Sequence, residues 1–60
     1  MWIETTPLPG DFVKCEFANF TGMAAKIGIL IGYHDGAFKI EFGDMIRFIP
    51  TQSTFFVYQK

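Results

Sequence analysis

The sequence predicts an all-β domain of five short antiparallel strands closed into a small barrel. Apolar and charged residues alternate with period two at 12–17 and 38–42, the signature of half-buried strands. Tight-turn signals, His34-Asp35-Gly36 and Gly43-Asp44, fall between the apolar runs. No window shows a helical period. At 60 residues the chain has room for one domain.

Residues 1–9 form an extended lead-in, because Pro7 and Pro9 disfavour helix at themselves and at Thr6 and Leu8. Gly10-Asp11 turns the chain into the domain proper, residues 10–60. Its first strand, 12–17, points Val13, Cys15 and Phe17 one way and Lys14 and Glu16 the other. Residues 18–25, with Gly22 at the tip, read as a loop. The second strand, 26–33, puts Ile27, Ile29, Ile31 and Tyr33 on one face and Gly28, Leu30 and Gly32 on the other. Glycine there permits a sharp bend or the close approach of another backbone.

The third strand, 37–42, turns Phe38, Ile40 and Phe42 inward and Lys39 and Glu41 to water. Gly43-Asp44 suits a two-residue hairpin turn with glycine at its first central position. The fourth strand, 45–49, ends where Pro50 lacks a ladder donor. Pro50-Thr51-Gln52-Ser53 then reads as a single 3₁₀-like turn before the fifth strand, 54–58. These last two strands are apolar on both faces. Met45 and Ile49 oppose Ile46 and Phe48; Phe55 and Val57 oppose Phe56 and Tyr58. In a simple hairpin-like order, Phe48, Phe56 and Tyr58 share one side, and Ile49, Phe55 and Val57 share the other.

From Gly10 onward this order of signals resembles the small SH3-like barrels. "GDFVKC" looks like their opening strand, "KIGILIGY" their glycine-punctuated second strand and "FKIEF" their third. An Sm-like barrel uses similar strands but starts with a helix, which the two prolines of residues 1–9 disfavour. Within the SH3-like class the chain is loosely similar to the plasmid-type (type II) dihydrofolate reductases, tetramers around a shared central pore. Gly10, Asp11 and Val13 match their Gly-Asp-x-Val opening, and "LIGYH" compares with their "IVGWY". Their pore motif, Val-Gln-Ile-Tyr-Pro, aligns with "IRFIP", where only Ile46 and Pro50 keep the residue type. Arg47, Phe48 and Ile49 replace the Gln-Ile-Tyr, so no cofactor or substrate contact carries over, and fold by itself does not bring function.

A domain this small buries only about 60% of the surface its unfolded chain exposes, and such domains lean on disulfides, metals or association. Cys15 is the only cysteine, so no internal disulfide forms; with His34 alone beside it, no zinc set forms either. Association remains, and a composition 50% hydrophobic with eight Phe fits it. A free thiol and the absence of a signal-peptide pattern in "MWIETTPLPG" place the expected compartment in the cytoplasm. The longest apolar run, 27–33, is far short of a membrane span. Net charge is −1, with five dispersed basic residues, which argues against a phosphate-tracking surface.

The chemistry-bearing residues are few. His34 in a turn reads as solvated, and Cys15 on the inward face reads as core. One His, one Cys and one Ser compose no nucleophile–base–orienter set. Asp35 and Asp44 are ordinary turn residues. No metal or cofactor site is expected, and no catalytic residue. Arg47, the only arginine, sits among apolar neighbours, either as a stem packed along the barrel with its head in water or as an interface residue. Phe48, Phe56, Tyr58 and Phe20 join it as candidate binding residues; Phe20, Tyr58 and Trp2 serve equally as lids on the core. The expected function is that of a small non-catalytic binding module that self-associates or docks on another protein, of the phage or plasmid accessory or inhibitor kind. The alternative is an oligomeric enzyme with its site at subunit junctions, as in the reductases it resembles.

Overall fold

The computed structural model describes residues 1–16 and 27–60, and among these it contains six strands and no helix. They are β1 (Trp2–Glu4), β2 (Phe12–Glu16), β3 (Gly28–His34), β4 (Ala37–Phe42), β5 (Met45–Pro50) and β6 (Thr54–Tyr58). All belong to one antiparallel sheet in the order β1-β6-β2-β3-β4-β5. The expected loop at 18–25, with Phe17 and Lys26 beside it, lies outside the described residues.

The first nine residues do more than lead in. Trp2–Glu4 pairs along β6, so the described residues hold six strands where five were expected. Pro7 is buried, and the chain then turns at Gly10, whose φ of 93° suits glycine. The Asp11 carboxylate accepts from the Leu8 N–H at 2.8 Å, while the Asp11 N–H donates to the Leu8 carbonyl at 3.0 Å. Gly10 N–H to Leu30 O (2.8 Å) and Leu30 N–H to Asp11 O (3.1 Å) pin this turn to β3.

Two hairpins build the other half. Asp35 and Gly36 both have positive φ, 49° and 77°, the type I′ pattern that Asp-Gly favours between β3 and β4. At the β4–β5 turn only Gly43 is positive, at 67°, the type II′ pattern with glycine first. In β3 the register slips between Leu30 and Gly32, leaving Ile31 as a bulge that sharpens the strand's twist. Gly28 sits where a Cβ would stand 2.5 Å from Ile40 Cγ2 and 2.9 Å from the Glu41 carbonyl oxygen. The expected close approach of backbone is therefore real at this glycine.

One core lies on the inner side: Val13, Cys15, Leu30, Ile40, Phe42, Ile49 and Phe55, with Phe38 packed against it. Val57 is also buried. The sheet curls to enclose these residues. Phe38 on β4 and Phe55 on β6 are three strand spacings apart, about 14 Å in a flat sheet, yet their rings meet edge-to-face at 5.1 Å. Among the described residues β5 pairs only with β4, and β1 only with β6, so the sheet stays open there.

The hairpin-like order expected for the last two strands is not found. β6 lies between β1 and β2, whereas β5 lies at the far edge. The link between them explains why. Ser53 N–H donates to Pro50 O at 3.0 Å, and Thr51 N–H to Gly36 O at 3.1 Å. The turn is thus tied to the β3–β4 hairpin and sends the chain across the curled sheet instead of back along β5.

Candidate functional site

The faces of the strands follow from register. Val13, Leu30, Ile40, Ile49, Phe55 and Val57 are inward, so their sequence neighbours point outward. On that outer side Trp2 pairs with Tyr58, and Phe12 with Ile29. Val13↔Val57 puts Phe12 next to Tyr58, while Ile29 faces Glu41 and Glu41 faces Ile46. A single band therefore crosses all six strands: Trp2, Tyr58, Phe12, Ile29, Glu41, Ile46. Five of the six are large and apolar. Phe12 is 52% exposed, Tyr58 47% and Ile46 47%.

At one end of the band the Trp2 and Tyr58 rings meet edge-to-face with centroids 5.3 Å apart. The Lys14 Nζ lies 4.4 Å from the Trp2 ring centre, a cation–π contact that holds the indole against the sheet. Phe56 lies beside this cluster, paired with Glu4 on one strand and Lys14 on the other, and is half-buried. At the other end Phe48, 54% exposed, is paired with Lys39. The His34 ring stands edge-on to it at 6.4 Å. His34 Nε2 is 3.2 Å from the Asp35 carboxylate, and both side chains are open to water.

The candidate residues divide into two groups. Phe56 and Tyr58 belong to the β1–β6–β2 side, and Phe48 to the β5 edge, because the two strands are not neighbours. Arg47 is exposed, yet it pairs with the fully buried Ile40 and so shares the core side of β5 with Met45 and Ile49. Its Nε donates to the Met45 sulfur at 3.0 Å. Phe20 lies outside the described residues. Phe12 and Ile46 were passed over as candidates, although the inward assignment of Val13 already implied that Phe12 faces outward.

Among the described residues, groups suited to chemistry do not converge. Burial pushes the Cys15 thiol above its ordinary pKa, which keeps it protonated and poorly nucleophilic. Among the described residues no three His, Cys, Asp or Glu side chains come together as metal ligands would. An open, hydroxyl-rich cleft of about 320 Å³ lies between the residues after β1 and the β5–β6 link, lined by Glu4, Thr5, Thr6, Thr51, Gln52 and Ser53 among others. Its one carboxylate has no histidine or cysteine beside it in that lining. No helix among the described residues is long and apolar enough to cross a membrane. No protein-family model matches this chain, and no curated protein or solved structure matches it.

Proposed function

We propose that the protein is a small non-catalytic binding module, acting by self-association or by docking on another protein through its outer apolar surface. The observation that carries this reading is the register-aligned band Trp2–Tyr58–Phe12–Ile29 with Ile46 beyond it. A chain that needs its apolar residues for stability spends several of the largest on its outer side. Fully burying such a side chain is worth about 1.5–3 kcal/mol, so their placement in water favours a surface that is covered in use.

The fold is of the SH3-like kind in this reading. The order β6-β2-β3-β4-β5, the one-turn link before the last strand and the shared inner core support it. The setting proposed is that of an accessory or inhibitor protein. The test is retention of partners, with tagged and untagged chains expressed together in the source cell. Wild type should retain its untagged copy or one protein at fixed stoichiometry, and Tyr58→Asp combined with Phe48→Asp should not. A wild type that retains neither would overturn the reading.

A further inference from the structure

Among the described residues β5 pairs only with β4, which leaves its other edge as a self-complementary surface. Phe42↔Met45 closes a two-residue hairpin and is therefore a hydrogen-bonded pair; bonded and non-bonded pairs alternate from there. Met45, Arg47 and Ile49 thus bond inward to β4. The N–H and C=O groups of Ile46 and Phe48, and the carbonyl of Pro50, point to the open side. Pro50 fits this pattern, since its missing N–H falls where no β4 bond is required. Every residue of the strand except Arg47 is apolar; Pro50 at its end and the core-side charge of Arg47 limit which strands and registers can pair with this edge. The opposite edge, β1, is only three residues long.

We propose that two copies of the chain join antiparallel along β5, about a two-fold axis at Phe48, continuing the sheet from one protomer into the next. This rests on the binding reading above and names a second copy as the occupant. An antiparallel strand pairs with itself by symmetry, so the contact closes as a dimer and does not run on as a filament. Arg47 selects the register. An axis at Arg47 would set the two guanidinium-bearing residues directly opposite each other, which is destabilising. An axis at Phe48 sets Arg47 against the second copy's Ile49 instead. Phe48 then exchanges both backbone bonds with its own copy, and the Ile46 N–H donates to the second copy's Pro50 carbonyl. The two Phe48 rings, half-exposed in the single chain, meet side by side on the outer face.

Sedimentation equilibrium of the full chain should return twice the chain mass of 6.8 kDa. Ile46→Pro removes a donor from the open side and none from the β4 ladder, so it should sediment as a monomer while keeping its β-type spectrum. In a Cys15→Ala background, a short-span bismaleimide should bridge Phe48→Cys chains into dimers and leave Tyr58→Cys chains unbridged. The bridging pattern decides the matter if Ile46→Pro does not fold. A monomeric wild type, or bridging at position 58 and not at 48, overturns the β5 dimer. A monomer that still retains another protein leaves the binding reading standing, so the two failures are distinguishable.

Discussion

Gly28 shows how one atom is decided by the packing of a neighbouring strand. Its missing Cβ makes room for Ile40 Cγ2, the Glu41 carbonyl and Phe42 Cδ1, and two of these three belong to the core. Gly28→Ala should cost about 1–3 kcal/mol through overpacking, read as a lowered urea midpoint with an unchanged slope. Cys15 supplies a pH dependence. Burial raises its pKa from the ordinary 9.0, so the folded chain keeps the thiol proton to higher pH than the unfolded chain does. Stability from this source is complete below the unfolded value and falls as pH climbs through the folded one. Wild type should therefore lose stability from about pH 9 upward, at most about 1.4 kcal/mol per pH unit, beyond any loss seen in Cys15→Ala. Parallel pH profiles for the two proteins would remove this account.

At the scale of elements, β1 is the clearest case of a short segment held by a few contacts. Its three residues have little strand-forming power alone. They are held by the ladder to β6, by Trp2 on Tyr58 and by Lys14 over the indole. Gln59 N–H to Met1 O at 2.7 Å and the Met1 amine to Gln59 O at 2.9 Å close its end. Trp2→Ala should lose the aromatic pair and the cation–π contact together, about 1–2 kcal/mol, measured by circular dichroism in urea. An unchanged midpoint would show that β1 docks through its backbone alone. The proline-rich stretch after it masked this strand in the sequence, because Pro7 and Pro9 speak against helix and say nothing for or against pairing of residues 2–4.

For the whole molecule, the open curled sheet places a solid apolar core inside and a half-exposed apolar band outside. Nothing in that arrangement restores the reductase pore motif. Arg47 and Ile49 lie on the core side of β5, the first exposed and the second buried, and Phe48 lies on the outer side, so the three residues present no common surface. Purified protein should show no NADPH-dependent reduction of dihydrofolate; measurable turnover would contradict this.

Strand existence and inward faces were readable where apolar residues alternate with charged ones, but not along β3, where the bulge at Ile31 moves Tyr33 to the side of Phe38 and away from Ile29. Val13 and Cys15, and Ile40 with Phe42, are buried as their alternation with Lys14, Lys39 and Glu41 demands. Both hairpin turns were readable too, because positive φ at Gly36 and Gly43 is a local requirement that only a few residues meet. The faces of β5 and β6 were not readable, since each carries large apolar residues on both sides and alternation then gives no preference. Burial of Ile49, Phe55 and Val57 was settled only when β6 inserted between β1 and β2 and the curl brought Phe55 onto Phe38. Strand neighbourhood is a non-local property. It depends on contacts between distant parts of the chain, such as the Thr51–Gly36 bond at the crossing from β5 to β6, and no local pattern of residues encodes that.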